Sequence, residues 1–399
     1  RTVAFALTKG YLLLATREDL LAQSLELLAG GGKPSIASDR WYRDSVAAAQ
    51  NHGELRLVMN LESLLRSVHF RSYWVQRNVS TLRRYWAGAA DLKRSGANIT
   101  ETRVFLRLPE QAPVSEAASV SNLLALVPPE AGVYQASRID QPGDVAALVV
   151  EKLIGPQTSR LRDPRYAPMA ISTDSGAGSE SDLEARIDEQ PLPRDSGIAG
   201  SIAAMRLLLE NGRARGSLLV QSSSPAAGAF VQMPAVIVLE SPADWDPDAV
   251  RASLTATAGK LWTTSQIGAG WINGSAGQHP IEVLDGLGKL TFAVHGHLLF
   301  LGNDSRLLQN VLDRTGTAPS TTALTYAAGF RHSRERSNYT RIMSALDFSG
   351  FAQMNGAPMF FSRNMESLSV VLSRLSELRV TEQNRGATTV QSIVYHLTQ

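Results

Sequence analysis

The stretch Thr2-Val3-Ala4-Phe5-Ala6-Leu7-Thr8-Lys9-Gly10-Tyr11-Leu12-Leu13-Leu14-Ala15 decides how the whole chain is read. Two apolar, β-compatible runs are separated by Thr8-Lys9-Gly10, a hairpin signal. The pattern returns near the other end, where Leu290 to Val294 and His297 to Leu301 flank His295-Gly296. Setting Tyr11 on His297, an offset of 286, places Gly10-Tyr11-Leu12-Leu13-Leu14 against Gly296-His297-Leu298-Leu299-Phe300. Leu21 then meets Leu307, Gln23 meets Gln309 and Gly30 meets Gly316. Arg77-Asn78 meets Arg363-Asn364, and Leu82 meets Leu368; a small gap between these anchors sets Pro34 on Pro319 and Arg56 on Arg341. The tails match in character, Val104 to Leu108 against Ile393 to Leu397. A module of about 110 residues, present once at each end, is the economical explanation.

Each copy continues in the same way. A helix is expected over Arg17 to Leu28 and over Asp304 to Leu312, with Gly30 and Gly316 just beyond, where left-handed backbone costs glycine little. A further strand is expected at Leu57 to Leu61 and at Ile342 to Leu346. Helical spacing follows at Leu61, Leu64, Leu65 and Val68, and at Leu368, Val371, Leu372, Leu375 and Leu378. The expected fold class is therefore α+β: duplicated modules with mostly antiparallel sheets packed by helices, arranged pseudo-symmetrically. Three regions follow: 1–109 and 288–399 as the two copies, and 110–287 as a middle α+β region.

The middle region is expected to hold strands at Gly132 to Ser137, Leu218 to Gln221 and Ala235 to Glu240. Helices are expected from Asp144, read as an N-cap, through Ile154, over Ile198 to Glu210, and from Asp246-Pro247 to about Leu261. Asn273-Gly274 reads as a turn, and 155–197, rich in Pro, Ser, Gly and charge, as a linker-like excursion.

Composition narrows the function classes. At 399 residues, with 44% hydrophobic and 19% charged residues, the chain suits a folded protein of two or three domains. A net charge of +2 gives no global case for nucleic acid or an anionic membrane. The absence of cysteine removes disulfides, thiolate metal sites and cysteine nucleophiles. It suits an exported protein, although cytoplasmic proteins also lack cysteine. No apolar run approaches the roughly 18 residues that span a bilayer. Arg1 leads almost directly into a strand-like run, as expected of a processed chain or a fragment, and a missing N-terminal tether is compatible with this.

Motifs for chemistry are weak. Ala29-Gly30-Gly31-Gly32-Lys33-Pro34 superficially resembles a phosphate loop, but Pro34 stands where Ser or Thr should ligate magnesium, and the segment follows a helix instead of opening one. His295 and His297 would share a strand face, yet they flank a turn, and no third ligand is identifiable nearby. Neither a Gly-x-Ser-x-Gly elbow nor a His-Glu-x-x-His motif occurs, so no catalytic, cofactor-binding or metal-binding residue is assigned.

The most informative local feature is Leu64 to Arg94, where Arg66, Arg71, Arg77, Arg83, Arg84, Lys93 and Arg94 face one acid, Asp91, with Tyr73, Trp74, Tyr85 and Trp86 interleaved. Such a mixture suits a protein partner or anionic lipid headgroups, and less well single-stranded nucleic acid. The structural alternative is an amphipathic helical pair with solvated arginines. The counterpart Phe351 to Arg379 keeps the leucines but only Arg363, Arg374 and Arg379, so the scaffold does not require the charge. Candidate partner-binding residues are Arg71, Tyr73, Trp74, Arg77, Arg83, Arg84, Tyr85 and Trp86.

Met233-Pro234-Ala235-Val236-Ile237-Val238-Leu239-Glu240, with Leu261-Trp262, Leu284-Asp285-Gly286-Leu287 and Gly296 to Phe300, resembles uncharacterised bacterial envelope proteins classed as domains of unknown function. The motifs are structural, so the resemblance implies an exported or membrane-tethered bacterial protein and carries over no catalytic residue. The functional expectation is a non-enzymatic extracytoplasmic scaffold or protein-interaction subunit. A carrier for an apolar ligand such as a lipid is the alternative, and a hydrolase using dispersed residues the third.

Overall fold

A computed structural model describes residues 3–30, 35–50, 53–66, 82–109, 119–155, 196–222, 234–262, 268–319, 322–336 and 373–398. Mixed helices and strands are organised around one antiparallel sheet of 13 strands, with a separate two-stranded hairpin. The hairpin is β1 (Ala4–Thr8) and β2 (Tyr11–Ala15), followed by α1 (Glu18–Leu28). Then come α2 (Arg40–Ala48), β3 (Leu55–Met59), α3 (Leu61–Arg66), β4 (Tyr85–Ser95) and β5 (Asn98–Arg107). The middle of the chain supplies α4 (Ser121–Ala125), β6 (Val133–Arg138), α5 (Pro142–Val149), α6 (Ser196–Asn211), β7 (Gly216–Gln221), β8 (Ala235–Glu240) and α7 (Pro247–Trp262). Strands β9 (Gly270–Ala276), β10 (His279–Asp285), β11 (Lys289–His295) and β12 (Leu298–Gly302) lead to α8 (Ser305–Leu312). Strands β13 (Tyr326–Phe330), β14 (Leu375–Arg385) and β15 (Thr388–Leu397) complete the described elements.

The strand order is β3-β4-β5-β15-β14-β13-β6-β7-β8-β12-β11-β10-β9. Strands β7 and β8 are buried along all six of their residues. Helices cover both sheet faces there, which is why Ala235-Val236-Ile237-Val238-Leu239 is continuously apolar and does not alternate. On one face α5, a π-helical turn over Val150–Ile154, α6 and α7 bury Val149, Leu153, Leu209, Leu254 and Phe292. On the other, α4 and α8 bury Leu123, Val238, Phe300 and Leu308. Two tryptophans pin the ends of α7: the indole of Trp245 donates to the His297 carbonyl at 3.1 Å, and that of Trp262 to the Ile154 carbonyl at 2.9 Å. Both indoles are buried, so each N–H needs such a partner.

The segments 110–287 and 288–399 do not stand apart. Strand β12 lies between β8 and β11, β10 pairs β11, and β13 pairs β6. At this last seam Gly329 faces Tyr134, whose ring fills the space a side chain would take; a Cβ on Gly329 would lie 2.1 Å from the ring.

At the other end of the sheet, β4 and β5 form a hairpin closed at Gly96, which has a φ of +57°. Strands β14 and β15 form another, closed at Gly386 with a φ of +59°. Each contains a bulge, between Tyr85 and Ala87 in the first and between Leu375 and Glu377 in the second. The two hairpins meet along β5 and β15, with Thr102 opposite Ser392.

Several local expectations are corrected. Leu375 and Leu378 lie on strand β14, not on a helix. The bulge after Leu375 shifts the alternation and leaves apolar residues three apart, which imitates helical spacing. Asn273-Gly274 sits inside β9, opposite Glu282 and Ile281, because the β9–β10 turn is made by Gly277 with a φ of +61°. Asp144 lies in the first turn of α5, and the helix starts earlier, at Pro142. Tyr85 to Arg94, read as part of a helical pair, forms strand β4. The strand expected at Ile342 to Leu346 and residues 156–195 of the excursion expected at 155–197 lie outside the described residues, while Ser196 and Gly197 already belong to α6.

Candidate interaction surface

Strand β4 brings one end of the basic, aromatic segment into the fold. Arg71, Tyr73, Trp74 and Arg77 lie outside the described residues, whereas Arg83, Arg84, Tyr85 and Trp86 lie within them. The bulge leaves Trp86 without a partner in β5, since Tyr85 pairs Arg107 and Ala87 pairs Leu106. Trp86 is half-buried, with the Arg40 guanidinium of α2 5.3 Å from its ring centroid, in cation–π range.

Tyr85 belongs to the interior. It is 7% exposed, its ring stacks at a tilt on Phe105 with centroids 5.1 Å apart, and its hydroxyl donates to Thr389 Oγ1 at 3.3 Å. It therefore ties β4 to β15. Arg83 and Arg84 are exposed, and Arg84 lies 3.8 Å from Asp140, a solvent-screened pair of little energetic weight.

Glu62, Leu65, Arg66, Arg83, Tyr85, Trp86 and Leu108 line an open groove of about 370 Å³. Within it Arg66 is engaged by Glu62 one helical turn earlier. The groove thus combines an aromatic wall with a mostly cationic rim, suited to an acidic or aromatic side chain of a partner.

The scaffold under this groove holds a buried ion pair. Arg56 of β3 donates from Nε to Asp91 Oδ1 at 2.6 Å and from Nη2 to Oδ2 at 2.8 Å. Nη2 also lies 3.4 Å from the Ala49 carbonyl at the end of α2. The hydrogen bonds to Asp91 raise the Arg56 pKa above its ordinary value. Thus the lone acid of the basic segment is a structural clamp between α2, β3 and β4.

A second groove, of about 420 Å³, lies where β6, β13 and β14 meet α5 and the π-helical turn. Leu148, Phe330, Leu378 and Val380 give it apolar walls, and Glu151 and Lys152 stand at its edge. Burial holds the Lys152 ammonium below the ordinary lysine range. Sequence reasoning passed over this groove because its walls come from residues more than 200 positions apart.

The remaining motif candidates behave as local structure. His295 and His297 are exposed at the β11–β12 turn. Among the described residues there is no cluster of three His, Asp or Glu that could hold a metal ion, and no helix long and apolar enough to cross a membrane. Gly30, at a φ of +82°, follows α1 as its C-terminal turn, and 31–34 lie outside the described residues. No protein-family model matches the chain. No curated protein matches it. No solved structure matches it.

Proposed function

We propose that the chain is a non-enzymatic interaction scaffold acting outside the cytoplasm, built from two related copies of an α+β unit joined edge to edge. The observation that carries this reading is the β5–β15 junction. An offset of 290 carries Gly96 onto Gly386, the bulge at Tyr85 and Ala87 onto that at Leu375 and Glu377, and Thr102 onto Ser392. Thr102 pairs with Ser392, so this edge contact is self-complementary about a local two-fold. Such a junction extends the sheet without an exposed edge between the copies, which is what a rigid frame needs. Lack of cysteine is compatible with an oxidising compartment.

The scaffold acts through the groove at Trp86, which Arg83 lines, with the exposed Arg84 next to it in the chain. The test is affinity purification of the full chain and of an Arg83→Glu/Arg84→Glu variant from native cells, with quantitative mass spectrometry. A stoichiometric protein partner present with the wild type and lost with the variant is the expected result. Covalent labelling of the chain by a broad hydrolase probe, or the same partner at the same yield with the variant, would overturn the reading.

The second groove favours one other reading, carriage of an apolar ligand. Its walls at Leu148, Phe330 and Leu378 suit an acyl chain, with Lys152 near an anionic head. Native mass spectrometry of protein purified without detergent should then show a copurified lipid, and a bare mass counts against it.

A further inference from the structure

We infer that the β1–β2–α1 unit is a docking surface for a polypeptide layer of one apolar strand and one amphipathic helix, with the chemistry of β8 and α7. The inference rests on the duplicated-unit reading. In the hairpin Phe5 pairs Leu14 and Leu7 pairs Leu12. These four side chains share one face, and they are 67%, 66%, 76% and 59% exposed in that order. Val3 extends the patch. The opposite face carries Ala4, Ala6, Leu13 and Ala15, half-buried beneath α1. A two-stranded ribbon that is apolar on both faces and covered on one is a marginal structure by itself.

The same chain holds the covered version of this unit. The two turn residues are Lys9-Gly10 in one hairpin and Gly296-His297 in the other, so the ladders correspond at an offset of 287. Phe5, Leu7, Leu12 and Leu14 then fall on Phe292, Val294, Leu299 and Leu301. Helix α8 lies on β12 as α1 lies on β2. In the second unit, however, Phe292, Leu299 and Leu301 are fully buried against α5, α6 and α7, among them Val250, Leu254 and Trp262. The outer edge of β12 pairs β8, with Leu299 opposite Leu239 and Leu301 opposite Ile237. Among the described residues strand β2 makes no ladder besides that with β1, and none of them takes on β2 the edge that β8 occupies on β12. Register, side-chain size and the position of the covering helix therefore define the missing layer: an antiparallel apolar strand on β2 and a helix across Phe5, Leu7, Leu12 and Leu14.

The test uses the full chain extended at its N-terminus by a second copy of residues 119–288, fused before Thr2. Amide hydrogen exchange reads β2, with β12 as internal reference. In the extended protein the Leu12–Leu14 amides should exchange at least 100-fold more slowly than in the unextended chain. Leu12→Asp/Leu14→Asp should abolish that slowing. A second measurement does not depend on the added copy folding: a peptide of residues 234–241 with an N-terminal cysteine, tethered to a Thr16→Cys variant of this otherwise cysteine-free chain, should slow the same amides at least 10-fold. No slowing in either arrangement overturns the inference. So does an unextended chain that light scattering shows to be a dimer with its β2 amides already protected, since a second copy would then be the occupant. The duplicated-unit reading fails separately: cysteines at Leu12 and at the added copy's Leu239 should cross-link, and slowed exchange without that cross-link keeps the docking surface while rejecting the register taken from the second unit.

Discussion

Replacing Arg56 by methionine tests how the sheet bears load. The substitution keeps the apolar stem and removes the guanidinium that holds both carboxylate oxygens of Asp91. Asp91 is 4% exposed, and Gly53 N–H lies at a marginal 3.5 Å from its Oδ1. Removing one charged partner of a buried ion pair costs about 3–5 kcal/mol. Removing both charges in Arg56→Met/Asp91→Leu leaves no unpaired charge, so the double variant should fall within about 1–2 kcal/mol of wild type. Urea unfolding followed by tryptophan fluorescence and far-ultraviolet circular dichroism measures both. The melting temperature adds a second discrimination. At about 2.1 cal/mol/K per residue, a loss of about 4 kcal/mol lowers the midpoint by about 5 °C if all 399 residues melt as one unit. If a unit of about 110 residues around β3, β4 and β5 melts alone, the shift is about 17 °C and a separate early transition appears. A single variant that costs less than about 1 kcal/mol, or a double variant that costs as much as the single, would refute the clamp.

Other outcomes follow from the same geometry. Burial raises the Glu382 pKa above its ordinary value of 4.5, against the opposing pull of Arg107 and Arg84. The folded protein therefore holds that proton more tightly than the unfolded chain, and stability is lost as pH rises from 4.5 through the raised folded value. Glu382→Gln cannot ionise, so its thermal midpoint should match wild type near pH 4 and exceed it near pH 7; the reverse order refutes the burial argument. At the β13–β6 seam, Gly329→Ala forces a methyl to within 2.1 Å of the Tyr134 ring and should cost about 1–3 kcal/mol in urea unfolding. A Tyr134→Val change in the same chain should return part of that loss, while Tyr134→Phe, which keeps the ring, should not. Equal rescue by both would show that the clash lies elsewhere.

Much of the local structure was legible from the chain. Tyr11–Ala15 and Ala235–Glu240 form as strands at the residues the pattern marks, and Asp304 caps α8 by accepting from Leu307 N–H at 2.7 Å. These features depend on neighbours a few positions away, so periodicity and capping chemistry report them. Matching glycines misled at one point. Gly10 is the second residue of its turn and Gly296 the first, so the strand ladders correspond at 287, one more than the alignment of glycines. The candidate surface was half-legible. The aromatic and basic composition marked Trp86 and Arg83, but Tyr85, equally marked, is buried, with its hydroxyl bonded to a threonine 304 positions away.

By itself the sequence determined that the chain is α+β, where several of its strands and helices fall, and that its motifs supply no recognisable catalytic set. Side-chain periodicity and turn chemistry are local properties, and they are written residue by residue. Only the tertiary structure decided which strand edges meet. It set β13 on β6 and β15 on β5, and it buried Phe292 while leaving Phe5 exposed. Strand pairing is made by backbone N–H and C=O groups that every residue carries, so the partner of an edge is not encoded in the identity of the residues along it. The first hairpin shows this most directly: its side chains nearly match those of β11 and β12, yet among the described residues only β12 has a further strand, β8, paired to its other edge.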